Sequence, residues 1–150
     1  MLLYRLVKCA YAHDLSGNGA RLYGGRWNSE GRAALYLASS RSLAVLEALA
    51  HLSPTNMPDD FCMLTIEAAD DITAVDEDLL PPDWNDYPEQ NALKQMGNAF
   101  LQSREHLLLQ VPSALVNDEY NYIMNPLHSL AASVKILQQR LFSFDERLLG

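Results

Sequence analysis

The chain has 150 residues, 49% of them hydrophobic and 20% charged, with a formal net charge of −8. That length and balance predict one globular domain over residues 1–150 that buries about two-thirds of its unfolded surface, and they argue against disorder. With 11 basic residues against 19 acidic ones, direct nucleic-acid binding is not expected, and no apolar run approaches the roughly 18 residues that would span a bilayer.

Residues 2–7, Leu-Leu-Tyr-Arg-Leu-Val, read as a strand interrupted by Arg5, which is either an edge-strand surface residue or one that faces a site. The opening residues do not have the pattern of a signal peptide. Cys9 and Cys62 fall in predicted strands, and two isolated thiols predict neither a metal site nor a disulfide framework, so the expected compartment is the cytoplasm. From His13 to Arg32 runs a long loop without periodicity, holding Gly17, Gly19, Gly24, Gly25, Arg26 and Trp27, and loops of that length are usually functional or disordered.

Residues 33–38 form a nearly all-apolar strand containing Tyr36. Ser39 or Ser40 then caps a helix whose expected apolar stripe is Leu43, Leu46, Leu49 and Ala50, with Glu47 at its margin between Leu43 and His51. Pro54 and Pro58 are expected to close it, and residues 61–68 read as another strand. Residues 70–88 are acidic and hold Pro81, Pro82 and Pro88, which predicts a surface connection pinned by Trp84 and Tyr87. Leu93, Met96, Ala99 and Phe100 mark an amphipathic helix over 89–104. Residues 106–116 make a strand broken at Pro112, which places Ser113 at a turn; residues 121–126 make a short strand ending at Asn125-Pro126; residues 133–137 and 141–145 are read as a terminal pair. The class is α+β.

Arg26 supplies a planar charged fork, Tyr36 an aromatic face and Glu47 a carboxylate, a set suited to an anionic ligand that carries a ring. The glycine loop precedes a strand, whereas phosphate-binding loops of the Walker and dinucleotide kinds follow one. His13, His51, His106 and His128 are scattered without zinc spacing, and no nucleophile-elbow sequence surrounds Ser113.

The ordered series Gly17-x-Gly19-Ala20, Gly24-Gly25-Arg26-Trp27-Asn28-x-x-Gly31, Ala34-Leu35-Tyr36-Leu37-Ala38, Glu47, Val111-Pro112-Ser113-Ala114 and Asn121-Tyr-Ile-Met-Asn125-Pro126-x-His128 resembles the RES-domain family, bacterial toxins of RES–Xre toxin–antitoxin pairs. The resemblance runs from about Tyr4 to the C-terminus. It implies a split, mostly antiparallel sheet with flanking helices, similar to NAD-consuming ADP-ribosyltransferases. It implies cleavage of the nicotinamide–ribose bond of NAD+ by hydrolysis or phosphorolysis, with NAD+ as substrate and no cofactor or metal. Carried over by motif, Arg26, Tyr36 and Glu47 would be catalytic, while Ser113, Asn125 and, more weakly, Arg5 would bind substrate. The implied partner is a cognate Xre-type antitoxin in a hetero-oligomeric complex. The alternatives are a mono-ADP-ribosyltransferase acting on a protein, a non-catalytic binding module and an RNA-cleaving toxin, the last disfavoured by the acidic charge.

Overall fold

The computed structural model describes residues 1–52 and 57–149. Strands β1 (Leu2–Lys8), β2 (Leu35–Ala38), β3 (Phe61–Glu67), β4 (Ile72–Ala74), β5 (Leu108–Pro112), β6 (Tyr120–Met124) and β7 (Lys135–Phe142) join in one sheet, in the order β4-β5-β6-β2-β1-β3-β7. Every pairing is antiparallel except β4 with β5. The sheet is nearly divided at its middle. β1 and β2 share one register pair, Tyr4 with Ala38, whereas β1 and β3 pair along their whole length. This thin seam is the split expected of the architecture.

Side-chain alternation along strands assigns each residue to a face. On one face helix α2 (Arg41–Leu49) lies over β1 and β2, burying Leu43 and Ala44 against Ala38, Tyr4, Leu6 and, from β3, Met63. On the same face helix α3 (Asn91–Ser103) covers the other half, packing Leu93, Phe100 and Leu101 against Trp27, Leu109, Val111 and Ile123. The opposite face buries Leu3, Leu35, Leu37, Leu64, Ile66 and Met124 beneath Ala12, Leu15 and Val134.

Several local expectations change. The sheet-facing side of α2 is Leu43, Ala44, Glu47 and Ala48, with Leu46 exposed, because the helix meets the sheet about one residue round from the expected stripe. Ser40 caps it as expected, its hydroxyl accepting from the Leu43 N–H. The helix ends at Leu49, and of the two prolines expected to close it Pro54 lies outside the described residues. In α3 Gly97, not Ala99, faces inward, and a Cβ built on it would stand 1.6 Å from the Trp27 carbonyl oxygen. The expected long loop contains a short helix, α1 (Asn18–Tyr23), and the acidic connection contains β4. The expected terminal pair is one strand, β7, laid along β3. No turn residues interrupt Gln138-Gln139-Arg140, so nothing folds it back. Cys9 lies in a single 3₁₀ turn beyond β1 and is disulfide-bonded to Cys62 of β3, with Cα atoms 5.0 Å apart. The two cysteines therefore fasten neighbouring strands, against the expectation that two such thiols make no disulfide framework.

Candidate active site

The glycine loop between α1 and β2 is held by one side chain. Asn28 is fully buried, and its Nδ2 lies 2.9 Å from the Ala20 carbonyl, 3.0 Å from that of Arg32 and 3.2 Å from that of Ser29. Its Oδ1 accepts from the Tyr36 hydroxyl at 2.7 Å, and that hydroxyl accepts in turn from the Trp27 N–H at 2.9 Å. Burial drives the Tyr36 phenol well above its usual range, with the Trp27 N–H opposing, so it stays neutral and keeps the proton it donates. Gly25 is required beside it: a Cβ there would lie 2.6 Å from the Tyr36 oxygen. Trp27 is buried under α3 as core.

Arg26 leaves this loop toward the segment before α3. Its Nη1 donates to the carbonyls of Trp84 at 3.0 Å and Asp86 at 2.9 Å, which fastens that segment to the glycine loop. Nε and Nη2 make no bond to protein among the described residues, so part of the charged fork is open to an anion.

Glu47 projects from α2 toward the sheet, one turn beyond Leu43. Its Oε1 accepts from the Ser113 hydroxyl at 3.0 Å and from the Asn121 side-chain amide at 2.7 Å. Oε2 has no protein partner, and no ion pair reaches Glu47 among the described residues. Both donors are neutral, so the carboxylate keeps its full negative field on the side of Oε2. The Ser113 oxygen also accepts from the N–H groups of Leu115 and Val116, at 3.1 and 3.2 Å, which aims its one proton at Glu47.

The register brings these parts together. Tyr36 is paired with Ile123 and Ala38 with Asn121, so Tyr36 and Asn121 are diagonal neighbours on the α2–α3 face, roughly 7 Å apart. Ser113 follows Pro112 at the end of β5, next to Asn121 across the Val111 pair. Tyr36, Glu47, Ser113 and Asn121 thus gather on the α2–α3 face of the sheet, with Arg26 leaving the loop that the Tyr36 hydroxyl holds.

Two expected residues are not brought there. Arg5 sits on the other face of the sheet with Leu3 and Val7, in an interior strand and not at an edge. Loss of hydration lowers its pKa, and the charge of Asp14 opposes that. Asn125 is at the far end of β6, four residues or roughly 13 Å of strand from Asn121. It is buried and committed: its Nδ2 donates to the Leu101 carbonyl at 2.9 Å and its Oδ1 accepts from the Leu127 N–H at 3.1 Å, tying the end of α3 to the turn after β6. His128 is structural as well, its Nδ1 accepting from the Leu130 N–H and its Nε2 lying 3.7 Å from Asp71. Sequence reasoning missed Asn28 and Asn121 as site-builders. For Asn121 a signal existed, since asparagine is depleted in strands and one there needs a polar partner. Among the described residues no group of three or more His, Cys, Asp or Glu side chains is placed to hold a metal, and no helix is long and apolar enough to cross a membrane.

The RES domain family profile matches residues 2–145. The chain belongs to the RES-domain family. Among curated proteins it is similar to one called Toxin Res from Photorhabdus laumondii, 40% identical over 99% of this chain and 97% of that protein. It is similar to another Toxin Res, from Pseudomonas putida, at 41% identity over 99% of both. A third relative, called Prs ADP-ribosylating toxin, from Sphingobium sp., is 38% identical over 92% of this chain and 88% of its own length. Among solved structures the M. tuberculosis MbcT–MbcA toxin–antitoxin complex contains a chain of the same fold, with a TM-score of 0.69 over 99% of this chain and 86% of that one, at 19% identity. This RES-domain protein is thus α+β in the manner of that toxin–antitoxin structure, and its family includes proteins named as toxins.

Proposed function

We propose that this RES-domain protein is the toxin of a toxin–antitoxin pair that acts in the cytoplasm on NAD+, breaking the bond between nicotinamide and ribose with water or inorganic phosphate as acceptor, and that an Xre-type antitoxin restrains it. The observation that carries the reading is Oε2 of Glu47, a carboxylate oxygen without a partner among the described residues, on the sheet face that also carries the Tyr36 ring. Breaking this bond develops positive charge on the ribose, and a fixed negative oxygen lowers that barrier. Nicotinamide departs as a neutral molecule, so no general acid is required and one carboxylate suffices. The ring of Tyr36 offers a face for the nicotinamide, and Nε and Nη2 of Arg26 offer charged donors for the pyrophosphate. Ser113 and Asn125, whose hydrogen-bonding groups are already engaged, are not assigned a substrate contact.

The test is NMR of NAD+ incubated with the purified chain, with and without phosphate. Nicotinamide with ADP-ribose supports hydrolysis, and an additional phosphorylated ribose product only with phosphate supports phosphorolysis. Glu47→Gln is expected to lower turnover by about 100- to 1000-fold, with little change in NAD+ affinity by calorimetry. Binding lost with turnover per bound NAD+ unchanged overturns the role of Glu47. Transfer of ADP-ribose to a protein is the second reading, favoured by the name of the Sphingobium relative. It requires label from NAD+ on a protein band, with no free ADP-ribose accumulating.

A further inference from the structure

The reading of Glu47 as the catalytic carboxylate leaves Asn121 without a role, and this inference rests on that reading. Asn121 lies in the interior of β6, between Ala38 of β2 and Val111 of β5, with a small and a medium side chain beside it on the α2–α3 face. Its amide donates to Glu47 at 2.7 Å, the shorter of the two bonds to Oε1.

The terminal torsion of a glutamate is broad, so a carboxylate held by one donor still turns about its last bond. Ser113 alone fixes one distance. A second donor arriving at the same oxygen from a different strand fixes the plane of the carboxylate as well. We infer that Asn121 is a positioning residue that, together with Ser113, holds Oε1 so that Oε2 is the oxygen presented to the developing charge on the ribose. The division of labour follows from the donor types. Two neutral groups orient the carboxylate without cancelling its charge, which a lysine or arginine in the place of Asn121 would do. Ser113 is reassigned with it: its proton is aimed at the carboxylate and its lone pairs are taken by two backbone N–H groups, so it acts through Glu47.

The test is a kinetic cycle on the purified chain with NAD+ as substrate. Asn121→Ala is expected to lower kcat about 10- to 100-fold with KM nearly unchanged, the size of effect that follows a misplaced catalytic group. Asn121→Asp, of the same shape but facing Glu47 with a like charge, is expected to lose more. In a Glu47→Gln background the added Asn121→Ala change is expected to cost no more than about twofold, because the residue acts only through that carboxylate. A full additional loss in that background, or a rise in KM as the main effect, places Asn121 on the substrate and overturns the inference.

A second readout does not depend on activity. The side-chain amide signals of Asn121 in a ¹⁵N-labelled sample are expected to move on Glu47→Ala substitution while other asparagine side-chain signals hold. If the wild-type chain leaves NAD+ intact, the reaction assigned above fails while the hydrogen-bonded pair is still read by this signal. If the Asn121 signals ignore Glu47→Ala, the positioning role fails whatever the activity.

Discussion

The Tyr36 hydroxyl donates to the side-chain oxygen of Asn28 at 2.7 Å and accepts from the neighbouring Trp27 N–H, and through these two bonds the strand holds the glycine loop. The loop backbone makes little regular structure of its own, so its shape depends on two side chains that meet in the interior. Tyr36→Phe removes the donor to Asn28 and the acceptor for the Trp27 N–H, leaving two buried polar groups unpaired. The expected loss of stability is about 1 to 3 kcal/mol, read from urea unfolding at constant m-value. An unchanged midpoint would mean that water replaces the hydroxyl and that the loop is held elsewhere.

Two glycines in helices should respond in opposite directions. Gly97→Ala forces a methyl to within 1.6 Å of a backbone oxygen that has no side-chain freedom, so α3 must move off Trp27. The cost is expected at the upper end of overpacking effects, about 3 kcal/mol. Gly19 in α1 has nothing within 4 Å of a built Cβ, and Gly19→Ala is expected to gain up to about 1 kcal/mol from helix propensity. Thermal melts of both variants check the pair, and a stable Gly97→Ala would show that α3 tolerates displacement.

Arg5→Met separates the two sheet faces. The guanidinium is largely removed from water on the face opposite Glu47, where its pKa is lowered by loss of hydration. Replacing a desolvated charge by an apolar chain of similar length is commonly neutral or stabilising. Stability equal to or above wild type is expected, with kcat and KM for NAD+ unaltered. A rise in KM would bring Arg5 into the substrate site.

Asp71 predicts a pH dependence. The His106 side chain, 2.7 Å away, is the main cause that holds the Asp71 carboxyl below its usual range. A carboxyl with a depressed pKa in the folded state adds stability that is fully present above the unfolded pKa of about 4 and is lost as pH falls through the lower folded value. Asp71→Asn is therefore expected to lower the melting temperature near neutral pH, with the difference from wild type closing in strong acid. A pH-independent difference would assign the effect to packing at β4.

Much of the candidate site is legible from residue types in order. Arg26 in a glycine loop, Tyr36 in the strand after it and Glu47 in the following helix come in consecutive elements of the chain, so their order alone groups them. Ser113 was foreseeable for a local reason, since Pro112 ends the ladder and the chain turns there. Asn121 offered only the signal of an asparagine inside a strand; its partner is 74 positions away, and only strand register reveals the pair. Leu46 misled because a leucine at helical spacing looks buried, yet the face of a nine-residue helix is set by where the sheet lies. The Cys9–Cys62 bond was missed because it depends on β1 pairing with β3, a contact that no local pattern encodes.

The helix that carries Glu47 stands over the thinnest pairing of the sheet. α2 packs on Tyr4 and Leu6 of β1 and on Ala38 of β2, the strands that share a single register pair, and Glu47 reaches from there to Asn121 and Ser113 beyond β2. Where the backbone ladder is short, side chains carry the join: on the opposite face one core runs from Leu3, Leu64 and Ile66 through Leu35 and Leu37 to Leu108 and Met124. On the near face the same bonds that aim the carboxylate also tie the helix on β1 to the strands beyond β2.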